Sequence, residues 1–239
     1  MLEPVSADAT AWTGAGTGRG TAVSRMDHPA RAPLPQTMND NITNLGPAVW
    51  LASTSPRRRK LLRQIGVRFD LVSVAVDETP EPNEEPGQYV IRLASAKAQA
   101  GLAALGQDTH APVLGADTAV VLGGIILGKP TDEHEAVAQL QLLSGRSHEV
   151  YCAVALANPT PTAVCVTSEV WFKALAEAEI AHYVATQESM DKAGSYAIQG
   201  YAAAFITRLE GSYSAVMGLP LFETSELLRA RGVELFGDA

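Results

Sequence analysis

From Ala48 onward, apolar runs of strand length alternate with amphipathic stretches of helix length, which restricts the chain to an α/β or α+β fold on a mixed sheet. The run AVWLAS at 48–53 reads as a buried strand. Ser55-Pro56 then opens a helix as N-cap and first-turn proline, Leu61, Leu62 and Ile65 give it an apolar face, and Gly66 ends it. Val72, Val74 and Val76 alternate in a second strand predicted over 69–76, followed by an acidic, proline-rich loop at 77–86. A helix over 89–105 turns Val90, Leu93, Ala94 and Ala98 inward. The strand at 113–117 is predicted to end in Asp117-Thr118, and 119–127 reads as a hairpin around Gly123-Gly124. Asp132 caps the next helix, with Glu135 in capping-box position and Gly145 closing it. Runs at 148–157 and 162–172 read as antiparallel neighbours; a helix at 177–186, a strand at 202–209 and a helix at 220–231 complete the order.

Residues 1–47 differ. They are rich in Gly, Thr, Ala and Pro without apolar periodicity and are expected to form a disordered tail ahead of one domain at 48–239. GAGTGRG at 14–20 lacks both the spacing and the preceding strand of a dinucleotide loop. Met26 and Met38 are alternative starts. A chain of 239 residues that is 46% hydrophobic can build one substantial core. Its net charge of −8 argues against nucleic-acid and anionic-membrane partners, although a local basic cluster or a metal can still attract a small anion. Cys152 and Cys165 sit in strand-like runs and read as reduced core thiols. No run has transmembrane length and no signal peptide opens the chain, so the cytoplasm is the expected location.

Five places could carry chemistry. In Ser53-Thr54-Ser55-Pro56-Arg57-Arg58-Arg59-Lys60, hydroxyls and open backbone N–H groups meet at a helix start, where anions bind. Cations there oppose the helix dipole, so local stability does not explain them; the alternative is a solvated basic face. Asp117 after Gly115-Ala116 suits Mg²⁺ or proton acceptance, or forms a turn. Gly123 to Lys129 spells G-x-x-x-x-G-K, but Pro130 replaces the metal-binding hydroxyl and the span reads as a hairpin. Lys129 remains a point charge for a phosphate. Asp77-Glu78 is a solvated pair or a metal site, and Lys97 lies on the inner part of its helix, where it either serves the site or snorkels to solvent. No zincin spacing and no G-x-S-x-G elbow occurs.

In order, LASTSPRRRKLL, VDET, RLASAKA, GADT, LGKP, LLSGRSHEV, DKAGSYAIQG and GSYSAVMGLPL resemble the Maf family of nucleoside triphosphate pyrophosphatases, from Trp50 to about Gly232. The resemblance implies a two-lobed, ITPase-like mixed α/β fold with a central cleft, a homodimer, and a divalent cation, Mg²⁺ or Mn²⁺. It implies hydrolysis of a nucleoside triphosphate to monophosphate and pyrophosphate. The family's catalytic carboxylate falls on Asp117, and its phosphate-contacting and charged cleft residues on Ser53, Arg57, Arg58, Glu78, Lys97 and Lys129. Glu78 and Asp117 are the expected metal ligands. Arg57, Thr118 and Gln199 match the dTTP/UTP branch, and Gln199 offers the donor and acceptor that suit a uracil or thymine imide edge. The branch acting on 7-methyl-GTP, or a nucleotide-binding septum regulator without turnover, is the alternative. The resemblance also implies roles in excluding modified nucleotides from nucleic acids and in division arrest. Tyr151-Cys152 and Ala215 depart from the family pattern; these departures bear on substrate range and do not touch the charged set.

Overall fold

In the computed structural model, which describes residues 46–106 and 109–237, the chain enters a seven-stranded mixed sheet at β1 (Val49–Leu51). The tail expected over 1–47 lies almost wholly outside the described residues. Helix α1 (Pro56–Gln64) leads to β2 (Phe69–Leu71), which pairs parallel to β1. Helix α2 (Pro86–Leu105) leads to β3 (Val113–Leu122), parallel to β1 on its other side. Then follow β4 (Ile125–Leu127), α3 (Glu133–Leu143), β5 (Ser147–Ala157), β6 (Thr162–Phe172), α4 (Glu177–Ala185), β7 (Ile206–Glu210), α5 (Tyr213–Met217) and α6 (Leu221–Arg229). The sheet order is β2-β1-β3-β5-β6-β7, with β4 on β3 and all pairs from β3 to β7 antiparallel.

Alternation along β3 divides the core. Val113, Ala119 and Val121 face α2, where Val90, Ala94 and Ala98 meet them as the helical periodicity predicts. Leu114, Ala116 and Val120 face the other side, packed with Leu61, Leu62, Leu140, Ile180 and Leu228 from four helices. The approach of α2 is unusually close. A methyl on Gly115 would stand 2.2 Å from the Ala94 carbonyl oxygen and 2.6 Å from the Ala98 nitrogen, so backbone touches backbone. Gly115 and the Ala-rich face of α2 are therefore matched.

Several local expectations need correction. The second strand stops at Leu71 rather than Val76, because only three residues find partners on β1. Helix α2 starts at Pro86, three residues early, since proline is pre-set for a first helical position. The strand expected over 202–209 is a 3-10 turn at Tyr201–Phe205 followed by β7. Ser55 has the backbone of an N-cap, but its side chain makes no cap bond. The Asp132 carboxylate does accept from Glu135 N at 2.8 Å, while Glu135 returns to Thr131 N rather than Asp132 N. The β3–β4 turn is as expected: Gly123 and Gly124 have φ of +57° and +82°, both in the region glycine favours.

The main correction concerns Asp117. It lies inside a ten-residue strand, opposite Ala153 of β5, not at a strand end. What ends there is β1. β1 pairs with β3 only at Val113 and Leu114, and β4 takes over only at Val120. Between them the edge of β3 is open, and the cleft lies at that gap.

Candidate active site

Asp117 and Thr118 are consecutive in β3, so their side chains leave opposite faces of the sheet. At the gap both faces are reachable. On the α2 face, Lys97 Nζ donates to Asp117 Oδ1 at 2.7 Å and to Glu78 Oε1 at 2.6 Å. The Lys97 and Asp117 side chains are only 11% and 10% exposed, so the lysine does not snorkel to solvent. Asp117 Oδ2 has no partner among the described residues. On the other face, Arg58 Nη2 donates to Thr118 Oγ1 at 3.4 Å, Nη1 to Ser53 Oγ at 3.3 Å, and Nε to the Gly218 carbonyl at 2.8 Å. Helix α5, capped by Ser212 Oγ accepting from Ala215 N, delivers that carbonyl just past its end.

Ser53 and the start of α1 form the third wall. With no side-chain cap, the first-turn amides of α1 stay open beside Arg57 and Arg58. Arg57 pairs with Asp191 at 3.6 Å, and Asp191 is also held by Lys192. Lys129, just beyond β4, is 62% exposed and stands 3.5 Å from Glu78 Oε2. Burial alone would raise the Glu78 pKa, but the hydrogen bond and charge of Lys97 and the charge of Lys129 outweigh it and hold it below the ordinary carboxylate value. Burial and the carboxylates of Asp117 and Glu78 push the Tyr89 phenol up to about 12; it donates to the Glu78 backbone carbonyl at 2.9 Å and stays protonated.

These groups enclose a cleft of about 630 Å³ that also takes in Gln199. Five cations (Arg57, Arg58, Lys97, Lys129, Lys192) and three carboxylates (Glu78, Asp117, Asp191) line it, a local positive excess in a chain of net charge −8. The nine side chains given site roles from sequence, from Ser53 to Gln199, all line this cleft, whereas Arg59, Lys60 and Asp77, from the same candidate segments, do not.

Sequence reasoning missed Asp191 and Lys192 as charged cleft residues, since the only signal was their place in DKAGSYAIQG. It also underrated Cys152. Its thiol lies 3.3 Å from Thr118 Oγ1, directly across the β3–β5 pair, so this departure touches the Arg58 network through Thr118. Burial pushes that thiol up to about 12, which keeps it neutral. Ala215 is buried and does not line the cleft.

Below the cleft, His148 Nε2 lies 2.8 Å from Tyr196 Oη, and burial pushes the imidazole down to about 4. An unfolded histidine titrates near 6.5, so the unfolded chain takes up this proton first as pH falls. Stability should therefore drop between about pH 6.5 and about pH 4, by at most about 3 kcal/mol from this group. Urea denaturation of wild type and His148→Gln at pH 7 and pH 5 reads the difference; parallel losses in both proteins would contradict it.

The family model described as Maf-like protein matches residues 48–231. The chain belongs to the Maf family. Its Maf relatives include proteins named dTTP/UTP pyrophosphatase. That of Aromatoleum aromaticum is 52% identical over 199 residues, covering 78% of this chain and 97% of that protein. Those of Nitrosospira multiformis and Aliivibrio fischeri are each 50% identical, covering 79% and 75% of this chain and 96% of each relative. Among solved structures, the Staphylococcus aureus Ham1 protein is similar at 13% identity and a TM-score of 0.36, over 52% of this chain and 71% of that one, a likeness too slight to carry weight. No helix among the described residues is long and apolar enough to cross a membrane.

Proposed function

We propose that this Maf chain is a nucleoside triphosphate pyrophosphatase acting on dTTP and UTP. The observation that carries the reading is the shared contact of Lys97 with Glu78 and Asp117 at the floor of a cation-lined cleft. The names of relatives at about half identity support the substrate. A triphosphate entering a protein of net charge −8 needs local compensation, and Arg57, Arg58, Lys97, Lys129 and the open start of α1 offer it.

In this reading water attacks the α-phosphorus, the new P–O bond replaces the α–β phosphoanhydride bond, and pyrophosphate leaves. Asp117 Oδ2 takes the water proton; in the free cleft Lys97 on Oδ1 fixes the carboxylate. Arg58, held at three points, does not need to reorganise as charge develops on the phosphates. Gln199 reads the imide edge of the base.

A divalent cation fits the donor set. Glu78 and Asp117 would hold it, since hard carboxylate oxygens suit Mg²⁺, which takes one or two of them and leaves other positions to phosphates; their contacts with Lys97 and Lys129 would then be exchanged for the ion, freeing both ammonium groups for phosphate. Among the described residues no group of three or more His, Cys, Asp or Glu is placed to hold a metal by itself, so the nucleotide would complete the shell. Bound there, the ion would neutralise phosphate charge. The reading carries a cytoplasmic location with it, consistent with free Cys152 and Cys165.

Pyrophosphate release from a nucleotide panel, with and without chelator, tests the proposal. dTTP and UTP should be the preferred substrates and chelator should abolish turnover. Preference for 7-methyl-GTP, or no release from any nucleotide, would overturn it.

A further inference from the structure

Arg57, at the start of α1, and Lys192, just ahead of the 3-10 turn Ala193–Ser195, line the cleft from segments far apart in sequence. Among the described residues each pairs with one carboxylate, and it is the same one. Asp191 lies 3.6 Å from Arg57 Nη1 and is also held by Lys192 Nζ. The exposures are unequal: the Arg57 and Lys192 side chains are 28% and 14% exposed, the Asp191 side chain 67%. Two sheltered cations thus share a counter-ion that stands largely in water. Burial lowers the Arg57 pKa and the Asp191 charge works against that shift, so an anion beside the guanidinium offsets part of its desolvation.

The three groups are not equally free to leave. The segment carrying Lys192 is seated on the cleft wall. Gly194 N donates to the Gly128 carbonyl at 3.2 Å, Ser195 Oγ donates to Gln139 Oε1 at 2.6 Å, and a methyl on Gly194 would meet the Val120 side chain at 2.7 Å. Turning Asp191 outward moves a carboxylate that is already mostly hydrated further into water, which costs little. It leaves a sheltered guanidinium and ammonium without a counter-charge, which is costly unless another anion arrives. A phosphate meets that need better than the carboxylate did. It carries more charge, and two of its oxygens suit the guanidinium fork while a third is left for the ammonium.

We infer that Asp191 is a resident counter-ion occupying the place of a substrate phosphate, and that Lys192 joins Arg57 in binding that phosphate once Asp191 turns away, an inference resting on the reading of the cleft as a triphosphate site. A carboxylate that organises the site and one that competes with the substrate differ in sign. Loss of the first weakens binding; loss of the second strengthens it.

The test measures equilibrium binding of inorganic pyrophosphate and of α,β-imido-UTP, which resists cleavage between those phosphates, to wild type, Asp191→Asn and Lys192→Gln, with urea denaturation alongside. Asp191→Asn should bind both ligands about three- to fivefold more tightly, the size of a part-exposed ion pair, while its stability stays equal or falls. The gain should shrink as salt is raised from about 0.05 M to about 0.5 M, because it is a charge effect. Lys192→Gln should bind both ligands about tenfold more weakly. Weaker or unchanged binding by Asp191→Asn, the mark of a merely structural role, would overturn the inference, as would wild-type binding by Lys192→Gln. Turnover separates this inference from the reading beneath it. If UTP is cleaved and Asp191→Asn binds no more tightly, only the counter-ion fails. If no nucleotide is cleaved while Asp191→Asn still binds pyrophosphate more tightly, the substrate reading fails and the phosphate site stands.

Discussion

Asp117→Asn should lower kcat for dTTP and UTP by about 10²–10⁴-fold with little change in KM. The substitution is nearly isosteric. Its amide oxygen can still accept from Lys97, which keeps Glu78 as a charged partner, so the cost to stability should be about 1 kcal/mol. What disappears is the carboxylate Oδ2 that has no partner among the described residues and is open to take a proton. Circular dichroism and nucleotide binding check that the cleft survives, and single-turnover assays read the chemical step. An Asp117→Asn protein that turns over dTTP and UTP at wild-type rates would remove this residue from the mechanism.

Gly115→Ala should be strongly disruptive for a single added methyl. The added carbon would meet the Ala94 carbonyl oxygen at 2.2 Å and the Ala98 nitrogen at 2.6 Å, and neither belongs to a side chain that can turn aside. Helix α2 must move bodily. Alanine lowers the entropy of the unfolded chain, which favours folding by about 0.4–1 kcal/mol, but overpacking against backbone costs about 3 kcal/mol or more and wins. Because Lys97 lies on α2 and Asp117 two residues beyond Gly115, the same displacement pulls apart their 2.7 Å contact. Loss of stability and loss of turnover should therefore appear together. Gly101→Ala is the comparison: its methyl meets side-chain carbons only, Val113 Cγ1 at 2.8 Å and Ala52 Cβ and Val72 Cγ1 at 3.0 Å, with no contact as short as the 2.2 Å at Gly115, so the penalty should be smaller. A Gly115→Ala protein as stable and as active as wild type would show that α2 does not need this approach.

Helix faces were the most legible part of the sequence, because a 3.6-residue period records burial directly. Val90, Leu93, Ala94 and Ala98 all lie where that period puts them. The Gly123-Gly124 turn was equally plain, since left-handed backbone is written in glycine. Strand ends were not. Val72 to Val76 alternate as a strand should, yet after the Val72 N–H bond to the Leu51 carbonyl the pairing with β1 stops, and pairing is not encoded in a strand's own residues. The length of β3 was hidden by Asp117 and Thr118, polar residues that read as punctuation and are instead mid-strand groups facing a gap. The helix α5 was missed because five residues are too few to show a period. In the cleft, the motif residues were readable one by one, but the Arg57–Asp191 pair joins positions with no sequence relationship, and Cys152 gained its neighbour only through strand register.

Arg58 is anchored to the carbonyl of Gly218, 160 residues further along the chain. During synthesis, then, a nascent chain can present α1 and β3 long before the group that orients its guanidinium exists. The pocket for a triphosphate is completed only when residues 213–218 have left the ribosome and folded back. A premature stop after Gln199 but ahead of that point yields a polypeptide carrying every one of the cleft residues named from sequence and still lacking a fixed Arg58.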